Sequence, residues 1–202
     1  MDKGLVLDMD GVIRHIDLDI AENVAKSLGF TYEEIMSTLW DNKYGVDLIR
    51  GTMTRREWWN AVSGSDGRLE GVSQDVIWNG LFEKSDIDRD LIDFISTLKQ
   101  RFVTAVFTNC DEASKIQIIE ELGPDHPFDF VISSSDIKFA KPEREAFQKL
   151  LRIIDVEPSL CFYFDDSINN VESALSIGIN GHLFKNITQV KGIVNTSSES
   201  VP

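Results

Sequence analysis

Groups of polar residues follow four of the apolar runs in this sequence, directly or after a loop. The groups are Asp8-Met9-Asp10-Gly11-Val12, Thr108-Asn109, Lys141-Pro142 and Asp165-Asp166-Ser167. Between them they supply carboxylates, a hydroxyl and an ammonium. Ligands of open α/β sheets bind beyond the carboxyl ends of the strands, so we expect the four groups to meet at one edge of a sheet.

The clustered carboxylates predict a divalent cation and a covalent route for phosphoryl transfer. Crowded carboxylates repel one another unless a cation lies among them, and hard oxygen ligands favour Mg²⁺. A carboxylate beside Mg²⁺ can attack phosphorus and form an aspartyl phosphate, and Asp8 is placed for that attack. Asp10, across a turn at Gly11, can protonate the departing oxygen and then deprotonate the water that cleaves the intermediate.

A transferred phosphoryl group also needs fixed hydrogen-bond donors for the charge that develops on its oxygens. Three groups in the sequence are candidates for this role. They are the Thr108 hydroxyl, the Asn109 backbone N–H and the Lys141 ammonium.

The elements that must position these side chains can be read from hydrophobic periodicity. Short, nearly continuous apolar runs at residues 5–7, 102–107, 130–132, 160–164 and 182–184 are typical of strands buried on both faces. Amphipathic helical segments alternate with the later runs. The order predicts an α/β, Rossmann-like parallel sheet with helices on both faces.

An insertion is predicted between the first two strands. About ninety residues separate them, whereas a crossover needs only about a dozen. The insertion has helical patterns, with capping-box spacings at Thr31 to Glu34 and Thr54 to Glu57. We therefore expect a catalytic core at residues 1–13 and 88–190, a small α-helical cap at 14–87, and a polar C-terminal tail at 191–202.

Composition limits the classes of function. The chain has 202 residues, enough for one domain with a modest insertion. Its 20 basic and 34 acidic residues give a net charge of −14, which disfavours nucleic-acid and anionic membrane partners. No apolar stretch approaches the ~20 residues of a spanning helix, so we expect a soluble, cytoplasmic protein. Cys110 and Cys161 are interpreted as structural.

Taken in their order along the chain, the four polar groups resemble the signatures of the haloacid dehalogenase-like hydrolases. Members of this family are mostly Mg²⁺-dependent phosphatases on a Rossmann-like core. The last group matches in the longer form Asp165-Asp166-Ser167-x-x-Asn170. The resemblance spans roughly residues 4–185. The helical insertion resembles the small cap of the first subclass of the family, and residues 165–178 resemble its sugar-phosphatase branch.

The resemblance implies a role for each matching residue. Asp8 would be the nucleophile and a metal ligand, Asp10 the acid/base with its carbonyl oxygen on the metal, and Asp166 a further ligand. Asp165 would have a supporting or water-mediated role, and Asn170 stands where many relatives have a second aspartate. Dehalogenases of the family lack the second aspartate of the first signature, so Asp10 favours phosphate over halide.

These observations favour a Mg²⁺-dependent phosphatase that hydrolyses a small phosphorylated metabolite, with sugar phosphates favoured by the resemblance. Two alternatives stay open: a phosphosugar mutase or phosphotransferase, and a non-catalytic binding protein with the same fold. The sequence does not fix the oligomeric state, and a monomer is compatible with it.

Specificity is expected to come from the cap, because the core signatures bind only the phosphoryl group common to every substrate. Arg14 and His15, at the cap entrance, are the candidate substrate readers. The cap tryptophans would join them only if they face inward, and their packing in the cap is the favoured interpretation. The cap arginines are expected to be solvated. The tryptophans are Trp40, Trp58 and Trp59, and the arginines are Arg50, Arg55 and Arg56.

Overall fold

A parallel sheet forms the centre of the structure, a computed structural model that describes residues 3–82 and 85–196. The strands are β1 (Lys3–Leu7), β2 (Arg14–Ile16), β3 (Ser85–Ile87), β4 (Phe102–Thr108), β5 (Phe130–Ser133), β6 (Cys161–Asp165) and β7 (Asn180–Leu183). Five of them pair in the order β5-β4-β1-β6-β7, and every neighbouring pair is parallel. The predicted α/β class is confirmed.

Helices surround this sheet and build the insertion. They are α1 (Leu18–Ser27), α2 (Tyr32–Trp40), α3 (Lys43–Ile49), α4 (Arg55–Ser63), α5 (Gln74–Leu81), α6 (Arg89–Ser96), α7 (Glu112–Leu122), α8 (Ser134–Ile137), α9 (Arg144–Ile154), α10 (Ile168–Ser176) and α11 (Ile187–Thr196). Within residues 3–82 and 85–196, none of these helices combines the length and the apolar character that crossing a bilayer requires.

Alternate residues of β1 pack into two different layers. Leu5 and Leu7 belong to one buried cluster with Ile95 of α6, whereas Val6 belongs to a second cluster with Phe147 of α9. Successive side chains of a strand point to opposite faces, so the apolar run at residues 5–7 must be covered on both sides. This double covering holds the carboxyl end of β1 at a fixed place in the middle of the sheet.

The helical cap, α1 to α5, has its own hydrophobic cluster. Both predicted capping boxes form, with Thr31 and Thr54 each accepting from the backbone of the glutamate three residues on. Trp58 is fully buried and stacks on Trp40 with ring centroids 5.4 Å apart, and Trp59 is 9% exposed. Packing is therefore the role of Trp58 and Trp59, as the sequence indicated.

A short antiparallel ribbon joins the cap to the core, and the sequence did not predict it. Strand β2 pairs with β3, so that Arg14 lies opposite Ile87 and His15 opposite Asp86. Each strand has only three residues. Such a length is too short to show the two-residue alternation by which strands are recognised.

The boundary of the predicted polar tail requires a correction. Helix α11 continues to Thr196, and its side chains Val190 and Val194 are fully buried in the same cluster as Leu5. Residues 191–196 therefore belong to the core, because these two valines lie one helical turn apart on a single face. Residues 197–202 lie outside the described residues.

Two of the three cap arginines expected to be solvated instead form ion pairs with the core. Arg55 binds Asp111 through two nitrogens, at 2.7 and 2.8 Å, and its side chain is 20% exposed. Arg50 pairs with Glu143 at 2.6 Å. Arg56 is exposed, as expected. The carboxylate partners lie far along the chain, so local sequence could not reveal them.

Candidate active site

The four predicted groups converge at the carboxyl edge of the sheet. Asp8 follows β1, Thr108 ends β4 and Asp165 ends β6, and these three strands are adjacent. A cavity of about 450 Å³ opens at this edge. Its walls contain Asp8, Asp10, Gly11, His15, Ile16, Leu18, Tyr32, Thr108, Asn109, Lys141, Asp166 and Asn170.

The Lys141 ammonium is buried between two carboxylates. Its Nζ lies 2.8 Å from Asp8 Oδ1 and 2.8 Å from Asp165 Oδ2, and it donates to the Phe107 carbonyl oxygen at 3.0 Å. Burial alone would lower the pKa of Lys141, but the charges of Asp8 and Asp165 outweigh it and raise the pKa. The ammonium is thus charged and has a partner for each of its three protons.

Asp165 is fully buried and accepts hydrogen bonds on both oxygens. Oδ2 accepts from Lys141 and from the Tyr163 hydroxyl, Oδ1 accepts from the Ser167 backbone N–H at 2.8 Å, and Asn170 donates to both oxygens. Burial would raise the pKa of Asp165, but Lys141 and the hydrogen bonds from Tyr163 and Ser167 together outweigh it and lower the pKa. Both Asp165 oxygens thus already accept hydrogen bonds from the protein. A supporting role for Asp165 and Asn170 stays our prediction.

Asp8, Asp165 and Asp166 are close enough together to hold a cation. One carboxylate oxygen from each lies within 4.8 Å of the others. Burial raises the pKa of Asp8 to about 7, although Lys141 acts in the opposite direction. Burial and the Asp165 charge raise the pKa of the exposed Asp166. Burial is the larger cause of both shifts and neighbouring carboxylates add to it, and a divalent cation at this place would favour the ionised forms.

The turn after Asp8 depends on Gly11. Its φ is +81°, a left-handed conformation that other residues adopt at a cost. An ideal Cβ at this position would overlap the Asp166 carboxylate. Glycine therefore allows the first turn and the last signature to approach each other closely, which brings Asp166 next to Asp8.

The two loops that carry the predicted phosphate-binding residues are joined by their own hydrogen bonds. The Asn109 side chain donates to the Lys141 carbonyl oxygen and accepts from the Lys141 backbone N–H, both at 2.8 Å. Thr108, next to this pair, is 2% exposed and lines the cavity. The structure thus brings Thr108, Asn109 and Lys141 together, and their phosphate-binding role stays a prediction.

Of the two predicted substrate readers, only His15 lines this cavity. Arg14 is buried, with its guanidinium bound to Asp10 and to Glu121, and it lines an adjoining cavity, so its role as a substrate reader stays a prediction. Tyr32, which the sequence analysis missed, contributes to the wall from the cap. Burial and the Asp10 charge raise the pKa of Tyr32. Its place as the first residue of a capped helix is the sequence signal that could have identified it.

A second cavity of about 310 Å³ adjoins the first, and both have Asp10, Ile16 and Asn109 in their walls. Its cap side is apolar and its core side is mostly polar. The cap side consists of Met36, Trp40, Leu48, Ile49, Trp78 and Phe82, and the core side includes Arg14, Cys110, Asp111, Ser114 and Gln117. Of the three predicted cap tryptophans, Trp40 lines this cavity.

Neither cysteine has the properties of a nucleophile. Cys110 and Cys161 are both buried, and burial raises the pKa of each thiol to about 12. A thiol with so high a pKa is protonated at neutral pH and reacts poorly. The structural interpretation of both residues agrees with this environment.

Comparison with known proteins gives the family. A model of the haloacid dehalogenase-like hydrolases matches residues 3–178, which include all four signatures. The chain belongs to this family.

Among solved structures, a haloacid dehalogenase-family enzyme from Bacteroides thetaiotaomicron has a TM-score of 0.76 at 20% identity, covering 94% of this chain and 99% of that chain. It was solved in complex with magnesium and inorganic phosphate. A similarity at this identity supports the haloacid dehalogenase-like fold.

Two curated relatives of this haloacid dehalogenase-like hydrolase have named activities. A phosphorylated carbohydrates phosphatase of Thermotoga maritima is 23% identical over 182 residues, which is 88% of this chain and 82% of the relative. A fructose-1-phosphate phosphatase of Escherichia coli is 27% identical over 89 residues, which is 44% of this chain and 47% of the relative.

Replacing Gly11 with alanine should weaken cation binding. The new Cβ would displace the Asp166 carboxylate, so we expect Mg²⁺ affinity, measured by isothermal titration calorimetry, to fall about tenfold or more. Gly123→Ala is the matched control: Gly123 has φ +84° but open space around its Cβ. The control should lose about 1–3 kcal/mol of stability through backbone strain and retain its Mg²⁺ affinity. Equal affinities in the two variants would contradict this role of Gly11.

Proposed function

We propose that the chain is a Mg²⁺-dependent phosphomonoesterase that hydrolyses small phosphorylated metabolites through an aspartyl-phosphate intermediate. The observation that carries this proposal is the position of the Asp8 carboxylate. It is held on one side by the buried Lys141 ammonium and lies close to the exposed Asp166 on the other. A fixed carboxylate at a cation site, in the wall of an open cavity, is suited to nucleophilic attack on phosphorus.

Mg²⁺ fits the donor set, which consists of oxygen atoms. Asp8, Asp166 and the backbone carbonyl of Asp10 would hold the ion, with Asp165 in support. Burial and, to a smaller extent, neighbouring carboxylates raise the pKa values of Asp8 and Asp166, and a bound cation would stabilise their ionised forms. When bound, the ion would neutralise charge on the phosphoryl oxygens. The Bacteroides relative solved with magnesium and phosphate is consistent with this assignment.

The contacts of Asp8 distinguish its two oxygens. Within the described residues, Asp8 Oδ1 accepts from the Met9 backbone N–H at 2.7 Å and contacts Lys141 at 2.8 Å. We therefore assign the attack on phosphorus to Oδ2. As the bond from Oδ2 to phosphorus forms, the ester P–O bond breaks, and Asp10 gives a proton to the departing oxygen. Asp10 then takes a proton from water, which attacks phosphorus, releases phosphate and restores the Asp8 carboxylate.

Lys141 acts in this scheme through its charge and its fixed position. Its ammonium already donates to a carbonyl and lies against two carboxylates. It therefore orients Asp8 and places positive charge beside the transferred group, while the Thr108 hydroxyl and the Asn109 backbone N–H supply hydrogen bonds to the phosphoryl oxygens.

Sugar phosphates are the substrate class that we propose within this function. The second cavity has an aromatic and aliphatic side opposite a polar side, and a sugar likewise presents C–H groups on its faces and hydroxyls at its edges. Two relatives named for carbohydrate phosphates support the same class. The combined size of the two cavities suits a compact leaving group.

Removal of metal should abolish hydrolysis. Treatment with EDTA takes away the ion that compensates the carboxylates, so phosphate release from p-nitrophenyl phosphate should stop and return when excess Mg²⁺ is added. Malachite green detection of free phosphate measures both steps. Full activity in rigorously metal-free buffer would show that the proposed cation has no part in the reaction.

Replacing each of the two aspartates of the first signature should affect the reaction in a different way. Asp8→Asn removes the nucleophile and should give no phosphorylated protein, whereas Asp10→Asn retains the nucleophile and should lose ~10²–10⁴ in rate. Mass spectrometry of acid-quenched protein detects the covalent intermediate. A phosphoryl group trapped on any residue other than Asp8 would refute the mechanism.

Small substrates should be strongly preferred over large ones. We expect kcat/KM for glucose 6-phosphate or fructose 1-phosphate to exceed that for a phosphoserine peptide, because the cap covers the strand ends and the net charge of −14 repels polyanions. Free phosphate and sugar isomers are measured together. Isomer formation without phosphate release would indicate a mutase, and comparable values for the peptide would count against a cap-controlled site.

A further inference from the structure

Arg14 holds the Asp10 carboxylate in a two-point contact. Its Nε donates to Asp10 Oδ1 at 2.7 Å, and its Nη2 donates to Asp10 Oδ2 at 3.1 Å. The remaining nitrogen, Nη1, donates to Glu121 Oε2 on α7 at 3.0 Å. Gln117, one turn earlier on that helix, donates to the other Glu121 oxygen at 2.9 Å. A continuous chain of hydrogen bonds therefore runs from a core helix to the acid/base residue.

The backbone reinforces this contact. The Gly11 N–H donates to the Arg14 carbonyl oxygen, and the Arg14 N–H donates to the Met9 carbonyl oxygen, both at 2.8 Å. Residues 9–14 thus form a closed turn. The Arg14 side chain is 10% exposed, whereas that of Asp10 is 42% exposed. The carboxylate is reachable from the cavity, while the guanidinium that fixes it is shielded from solvent.

We propose that Arg14 is a positioning residue for Asp10, an inference that rests on the proposed phosphatase function. A bidentate arginine fixes the plane of a carboxylate as well as its distance. Proton transfer depends on that geometry, because a general acid must lie within hydrogen-bond reach of the departing oxygen. Three of the Arg14 N–H groups donate to Asp10 and Glu121, and the side chain also lines the second cavity, so the test must separate an action through Asp10 from a direct contact with the substrate.

The leaving group decides how much this positioning matters. In the first step a bond forms from Asp8 to phosphorus, the ester P–O bond breaks, and the Asp10 proton moves to the departing oxygen. A sugar alkoxide is strongly basic and needs that proton, whereas p-nitrophenolate is a stable anion that departs without it. Because kcat/KM reports this first step, a misplaced Asp10 should slow sugar phosphates selectively.

The test compares glucose 6-phosphate with p-nitrophenyl phosphate in the full chain with Mg²⁺. For Arg14→Gln, we expect kcat/KM to fall ~10-fold or more with glucose 6-phosphate and less than ~3-fold with p-nitrophenyl phosphate, as loss of general-acid catalysis predicts. Arg14→Lys retains the charge but only a single point of contact, so its loss should be intermediate.

A double-mutant cycle shows whether Arg14 acts through Asp10. If it does, adding Arg14→Gln to Asp10→Asn should cost no further activity with glucose 6-phosphate. Arg68→Gln is the matched control, since it breaks an arginine–aspartate ion pair to Asp66, and neither residue lines either cavity. Its effect should be equal for the two substrates. If Arg14→Gln does not fold, Glu121→Gln loosens the same guanidinium from its other side and should show a weaker version of the selective loss.

Three results would overturn the proposal. They are an equal loss with both substrates, additive losses in the double variant, and a rise in KM confined to glucose 6-phosphate with unchanged kcat, which would identify a direct substrate contact. Failure of the proposed function looks different, because the wild-type protein would then release no phosphate from either compound. That result would overturn the function and this inference together.

Discussion

A buried ammonium between two buried carboxylates is the interaction on which this site depends. Lys141, Asp8 and Asp165 are each less than one-tenth exposed, and the lysine lies 2.8 Å from both acids. Charges removed from water are costly unless they are paired, so displacing any one of the three would leave the others uncompensated. The ends of β1 and β6 and the loop at Lys141 are therefore fixed relative to one another.

The order of the strands brings Asp8, Lys141 and Asp165 together. With β1 between β4 and β6, the nucleophile emerges in the middle of the edge and its partners emerge on either side. The reciprocal bonds between Asn109 and Lys141 tie the end of β4 into the same unit. Donors that are fixed before the substrate binds do not have to reorganise during the reaction. This preorganisation is the main source of electrostatic catalysis.

The parts of this structure that could be predicted from sequence are those determined by neighbouring residues. Apolar runs predicted the strands of the central sheet, and the capping boxes at Thr31 and Thr54 predicted two cap helices. Both signals depend on local spacing. The contact of Arg14 with Glu121 joins residues 107 positions apart, and local spacing carries no information about it. The ribbon was missed because its strands are short, and the end of α11 because Lys191 and Gly192 interrupt the apolar pattern between its two buried valines.

The junction between cap and core consists of polar contacts that dissolved salt can weaken. Arg55 and Arg50 join the cap to Asp111 and Glu143, and the Ser134 hydroxyl donates to the backbone of Ile49 at 2.6 Å. A cap that must lift to release its product has to break these contacts. Two of them are ion pairs with partly exposed side chains, and dissolved salt weakens such pairs. In the proposed phosphatase, the residence time of a product beneath the cap would therefore depend on ionic strength.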